Sequence, residues 1–271
     1  MRRRKGAAIR HSVTAPPPED LPAPDPDPSL DSEPGARPLR DTGRRLHGAI
    51  ANRLGTAILG GEYKPGDTLS SQVDFSEALG VSRNAFREAV QVLTAKGLVE
   101  SRPKLGTRVL PRERWNLLDP DVLAWAFAGE PDAQLVRSLF ELRGIIEPAA
   151  ARLAAERRDR DDLRRMRDAL AAMRRHTLAT EAGRTADRDF HDAILRAAHN
   201  DALMTLSAGI GAVVRWTTQF KQRARGLPRN PIPEHARVLD AIAASDAPAA
   251  EEAMRALIDQ ALDDTRNSMG G

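Results

Sequence analysis

Leu46, Ile50, Leu54 and Ile58 recur every fourth residue, the stripe of an amphipathic helix that starts near Gly43. Gly60, Gly61 and the run Lys64-Pro65-Gly66-Asp67 stop it. A second short helix is predicted over roughly Gln72 to Leu79, and Gly80 supplies a tight turn through its tolerance of positive φ. Ser82 then reads as the N-cap of a third helix, Arg83 to Lys96, whose buried stripe is Phe86, Ala89, Val90 and Leu93 and which Gly97 ends. Two short β-prone pieces follow, Leu98 to Ser101 and Thr107 to Leu110, joined by Arg102-Pro103-Lys104-Leu105-Gly106.

From Trp115 onward Ala, Leu, Arg and Glu dominate and no strand signal returns. Breaks near Gly129-Glu130-Pro131, Gly183, Asn200, Pro228 to Pro233 and Ser245-Asp246 divide this stretch into about six or seven helices. The predicted fold is therefore mainly α. A winged helix-turn-helix of three helices plus a β-hairpin wing occupies residues 43–111, a linker helix 112–131, and an all-α antiparallel bundle 132–268. Residues 1–42 form a tail. Its stretch from Thr14 to Pro38 is rich in Pro, Asp and Ser and nearly free of aliphatic residues, so it cannot repay the entropy of folding and is predicted disordered.

Composition narrows the chemistry. The 271 residues contain no cysteine, which excludes disulfides, iron-sulfur clusters and thiolate zinc sites, so any metal must sit on histidine, carboxylate or water. No apolar run approaches the roughly 20 residues that span a bilayer, and the opening MRRRKGAAIRHSV lacks the apolar stretch of a secretory signal. A cytoplasmic protein with no membrane partner is expected. Lys and Arg total 41 against 38 Asp and Glu, a net charge of +3, so global charge does not single out nucleic acid; the placement of the arginines does.

Arg83, Asn84 and Arg87 lie near the start of the third helix, on a face adjoining its buried stripe. That is the end a recognition helix pushes into the major groove, where Arg bonds guanine and Asn reads adenine. Ser82 and the free N–H groups beside it can hold a phosphate. An arginine on an exposed helix is more often a solvated charge, but the order of helix, helix, glycine turn, Ser-capped Arg helix and Lys/Gly hairpin favours DNA.

The stretch GVSRNAFREAVQVLTAKGLVESRPKLGTRV closely resembles the GntR family of bacterial regulators. The resemblance implies that Arg83 and Arg87 contact bases or backbone and that Lys104 and Gly106 bring the wing tip near the minor groove. One segment departs from the family pattern: Ser70-Ser71-Gln72-Val73 stands where a Pro-Ser-Glu opening and a DNA-touching Arg are common. The helical remainder resembles the FCD effector domain of the FadR branch, through ELRGIIEPAAARLAA, ADRDFHDAILRAAHNDAL and EHARVLDAIAASDAPAAEEAM. The phrase WN-x-LD-x-DVL-x-W from Trp115 to Trp125 is similar to the subgroup of sugar-acid regulators that includes galactonate operon repressors.

Asp187 and His191 are spaced i, i+4 and project from one helix face, so both can reach one cation, which His235 could close from a later helix. The donor set suits zinc, nickel or manganese. The resemblance implies a fourth ligand, a His, at the position of Leu257, so the shell is expected to keep open places for water or effector. Arg143, in a run of Leu, Ile and Ala, needs a carboxylate, either an effector's or that of Glu147 one turn later. Arg215 invites the same reading.

The expectation is a homodimeric repressor on palindromic operator DNA, released by a small acidic metabolite of the aldonate type. Two alternatives stand beside it: a metal-dependent hydrolase built on Asp187, His191 and His235, which lacks an evident general base, and an effector-independent DNA-binding protein.

Overall fold

A computed structural model describes residues 41–69, 82–102, 106–225 and 229–269. The expected helix at Gln72 to Leu79, the wing residue Lys104 and the tail through residue 40 lie outside the described residues. The first helix, α1 (Asp41–Leu59), starts two residues before the expected Gly43. The recognition-type helix α2 (Arg83–Ala95) carries the predicted cap, with Ser82 Oγ accepting from the Ala85 N–H at 3.2 Å. Its buried face, Phe86, Ala89, Val90 and Leu93, packs with Ile50, Leu54 and Ile58 of α1. Gly97 is required twice: its φ is +73°, and a Cβ there would lie 2.0 Å from the carbonyl oxygen of Arg114.

The wing pairs β1 (Val99–Arg102) with β2 (Gly106–Val109) antiparallel, Val99 opposite Val109 and Arg102 opposite Gly106. A third extended piece joins it that periodicity did not reveal. The Leu69 N–H donates to Thr107 O at 2.8 Å and the Val109 N–H to Asp67 O at 2.9 Å, which turns the Pro65-Gly66 stop into the entry of a small sheet.

The expected linker helix at 112–131 is shorter than its span. A single 3-10 turn (Arg112–Arg114) precedes α3 (Pro120–Ala126), capped by Asp119, which accepts from the N–H groups of Asp121 and Val122, with Pro120 at the first helical position. This short helix belongs to two cores. Val122 and Trp125 join the winged-domain core with Trp115, whereas Leu123, Ala126 and Phe127 join the bundle core. Gly55 of α1 makes room for Trp125: a Cβ at Gly55 would fall 2.3 Å from the indole. Lys96, at the end of α2, reaches Asp119 at 2.7 Å and Asp121 at 2.8 Å, so the recognition helix and the linker helix are clamped by charge as well as by packing.

The bundle comprises α4 (Ala133–Arg157), α5 (Arg160–His176), α6 (Glu181–Ala197), the one-turn α7 (Asp201–Met204), α8 (Ser207–Arg225), α9 (Ile232–Ala243) and α10 (Ala247–Met269). Met166, Met173, Phe190, Ile194, Ile210, Val238 and Met254 fill its centre. Burying each such side chain contributes about 1.5–3 kcal/mol, enough to hold the domain without cross-links. The break expected near Gly183 falls at residues 177–180, where Thr180 caps α6; Gly183 itself stands in the first turn of α6, where a Cβ would meet the Thr177 carbonyl oxygen at 1.6 Å. The missed boundary between α4 and α5 is marked by Asp159 and Asp162, which form a capping box. Among the described residues no helix is long and apolar enough to cross a membrane.

Candidate functional site

At the N-terminal end of α2, Ser82, Arg83, Asn84 and Arg87 are all exposed, while Ala85, Phe86, Ala89 and Val90 turn inward. Amphipathic spacing and the Ser82 cap thus leave two guanidinium groups and an amide outside the core, beside a helix terminus of positive dipole. Gly106 opens β2 at φ +82°, with Thr68 Cγ2 only 3.3 Å from where a Cβ would lie, so the wing strand starts with a residue that only glycine fits without strain.

In the bundle, one cavity gathers residues from five helices. Arg143 comes from α4, Asp187 and His191 from α6, Thr218 and Lys221 from α8, His235 from α9, and Leu257 and Asp264 from α10. The cavity volume is about 40 Å³, room for a few waters or an ion. Asp187, His191 and His235 are all buried, and their candidate ligand atoms lie within 4.8 Å of one another. The predicted trio therefore meets in space, with Leu257 beside it in the lining.

The hydrogen bonds behind the trio orient the two imidazoles. His235 Nδ1 lies 2.8 Å from Pro231 O, and a carbonyl can only accept, so Nδ1 donates there; Nε2 lies 3.0 Å from Asp187 Oδ1, an acceptor likewise, and donates to it in the absence of a metal ion. His191 Nδ1 bonds to Glu147 Oε2, leaving its Nε2 facing Asp187 Oδ1 at 3.9 Å. Thr218 Oγ1 donates to the other Asp187 oxygen at 3.3 Å. Two imidazole Nε2 atoms and a carboxylate oxygen thus converge, and a cation that takes the place of the proton between His235 and Asp187 would meet all three. This donor set fits a divalent cation, and the carboxylate and carbonyl behind the imidazoles are the partners that orient metal-bound histidines.

Glu147, expected only as the internal alternative for Arg143, serves Arg143 and His191 together. Arg143 Nε donates to Glu147 Oε1 at 2.5 Å while the other oxygen holds His191, all three being buried. Burial alone would push the Glu147 carboxyl up, but Arg143 and His191 outweigh it and hold the group at about 2. Asp187 is likewise lowered: burial opposes its charge, and the His235 bond with the neighbouring positive groups overrides it.

Arg215 is not brought to the cavity. It is half-exposed, bonded to Glu181 at 2.9 Å and stacked over Trp216, because its position on α8 turns it away from the face that carries Thr218 and Lys221. Lys221 is the cavity cation that the sequence reading missed. A lysine flanked by Phe220 and Gln222 carries no local signal, and only the i, i+3 relation to Thr218 on a buried face could have marked it. Arg229 also lines the cavity, paired with Asp264 at 3.1 Å and Glu234 at 2.9 Å.

Comparison with known proteins places the two halves. The family model for "Bacterial regulatory proteins, gntR family" matches residues 46–109, and that for the FCD domain matches residues 138–260. The Galactonate operon transcriptional repressor of Escherichia coli (strain K12) is 37% identical over 212 residues, covering 77% of this chain and 92% of that protein. The HTH-type transcriptional regulator LutR of Bacillus subtilis (strain 168) is 34% identical over 204 residues, 73% of this chain and 91% of that protein. A solved structure described as "Lar controls the expression of the Listeria monocytogenes agr system and mediates virulence" superposes with a TM-score of 0.60 at 17% identity, over 85% of this chain and 99% of that one, which supports the fold alone. The gntR match covers the capped arginine helix and the wing, and the FCD match covers Arg143, Asp187, His191, Lys221 and His235 of the cavity. The chain belongs to the gntR family of bacterial regulatory proteins, in its FadR-like, FCD-bearing branch, and is a DNA-binding transcriptional regulator, not an enzyme.

Proposed function

We propose that this regulator is a homodimeric, cytoplasmic repressor of a sugar-acid catabolic operon, released from palindromic operator DNA when an aldonate-type acid enters the cavity of its helical domain. The observation that carries the reading is the convergence of Asp187, His191 and His235 with Arg143 in one cavity, joined to the likeness to a galactonate operon repressor. Asp187, His191 and His235 would hold a divalent ion, zinc, nickel or manganese, which supplies open coordination positions for carboxylate and hydroxyl oxygens. Arg143 binds the acid through the guanidinium nitrogens that Glu147 does not use. Arg215, held by Glu181 outside the cavity, is left out of the contact set. In the groove, Arg83, Asn84 and Arg87 contact base edges, Ser82 contacts phosphate, and Lys104 and Gly106 place the wing.

A physical route joins cavity and DNA. Helix α8 carries Thr218 and Lys221 into the cavity, and two residues on Arg223 donates to the carbonyl of Phe127 at the end of α3. Helix α3 is clamped in turn to α2 through Lys96. A shift of α8 on binding therefore moves the element that supports the recognition helix. The acid need only favour the shifted arrangement by a few kcal/mol to release DNA. Gel shifts with purified protein test this: sodium D-galactonate or D-gluconate should abolish an operator complex in wild type and leave it intact in Arg143→Ala. Operator binding indifferent to every aldonate and uronate, with and without added zinc or nickel, refutes the proposal.

A further inference from the structure

One cation in the cavity stands outside the ion pairs that surround it. Arg143 is matched by Glu147 and Arg229 by Asp264 and Glu234, while Asp187 is engaged by His235 and Thr218. Lys221 is 8% exposed, lines the cavity, and among the described residues makes no hydrogen bond and no ion pair. Burying an ammonium without a partner is costly, and a fold keeps such a group where a ligand completes it. Asp187 and Asp264 share the lining and favour its charge, but both are engaged elsewhere, Asp187 by His235 and Thr218 and Asp264 by Arg229.

We propose that Lys221 is the anion anchor of the effector cavity, pairing with the carboxylate of a singly charged polyhydroxy acid while the Asp187, His191 and His235 corner takes its hydroxyl oxygens. The inference rests on the effector reading above and adds to it a residue and a selection rule: one carboxylate, required, at the α8 wall. Burial lowers the Lys221 amine to about 8, against the opposing pull of Asp187, so near neutral pH it remains a cation and gains fully from an anionic partner. A lysine is suited to this role because it is a point charge with rotatable donors, able to join the free guanidinium nitrogens of Arg143, which is tied through Nε, on one carboxylate.

The test measures calorimetric affinity for sodium D-galactonate and D-gluconate, with neutral galactitol as the uncharged control, on wild type, Lys221→Met and Lys221→Arg. Removing one partner of a buried charged pair should weaken aldonate binding about 30-fold or more in Lys221→Met, with partial recovery in Lys221→Arg. Galactitol should bind both variants as feebly as wild type. Zinc affinity should be kept, and ligand-free Lys221→Met should melt no lower than wild type, since it loses an unpaired charge. Equal aldonate affinity in wild type and Lys221→Met overturns the assignment while leaving the effector reading standing. A lower melting point with lost zinc binding also overturns it, by making Lys221 a structural residue. A wild type that binds no aldonate sinks the effector reading and this inference with it.

Discussion

Glu147→Gln isolates the group on which both halves of the cavity depend. The carboxylate is 2% exposed, lies 2.5 Å from Arg143 Nε, and bonds His191 through its second oxygen. Its pKa falls from 4.5 in the unfolded chain to about 2 in the fold. At about 1.4 kcal/mol per unit, ionised Glu147 contributes about 3 kcal/mol. That agrees with the roughly 3–5 kcal/mol lost when one member of a buried ion pair is removed. Because the folded pKa is depressed, the contribution is complete above pH 4.5 and vanishes as pH falls towards 2. Urea unfolding of metal-free protein at pH 7 should show the isosteric amide about 3 kcal/mol less stable. A loss of that size lowers the melting point by roughly 6–12 °C for a domain of this size. The gap should narrow steadily in titrations below pH 4.5. The amide also misorients His191, so zinc affinity should drop about 10- to 100-fold. Equal unfolding midpoints at pH 7, or a gap that does not change with acid, refute the coupling of Arg143, Glu147 and His191.

Three further outcomes are expected. Replacing Arg87 by Ala should weaken operator binding by about 1–3 kcal/mol without moving the melting point, read by fluorescence anisotropy against operator and scrambled duplexes; equal losses on both would make it a phosphate contact. Gly183→Ala drives a methyl to within 1.6 Å of the Thr177 carbonyl oxygen, so it should cost about 3 kcal/mol or more in thermal unfolding, and a silent variant would show that the turn between α5 and α6 can yield. Lys96→Met removes the bonds to Asp119 and Asp121 and should reduce the aldonate-induced loss of operator binding while the ligand-free complex persists; unchanged release excludes the α2 to α3 clamp as the route.

Local order was legible wherever a single segment carried its own instruction. Ser82 before a stripe of Phe86, Ala89, Val90 and Leu93 specifies a capped helix whatever surrounds it, because cap and stripe act within a few residues. The i, i+4 step from Asp187 to His191 is equally local. Gly183 flagged the nearby break but not its own part in it: a glycine can form a turn or make room for another stretch of backbone, and only the approach of Thr177 decides which. Arg143 and Arg215 looked alike in sequence and parted in space, one inside against Glu147 and the other outside against Glu181.

The amino-acid sequence alone determined the order of elements, the exposed arginine end of α2 and the family, since each follows from spacing and residue type along the chain. Packing decided the rest. That α3 shares two cores, that Glu147 serves Arg143 and His191 together, and that Lys221 is left without a partner depend on which faces of five helices meet. Charge balance inside a cavity is a sum over residues far apart in the chain, and periodicity, a property of neighbours, contains no term for it.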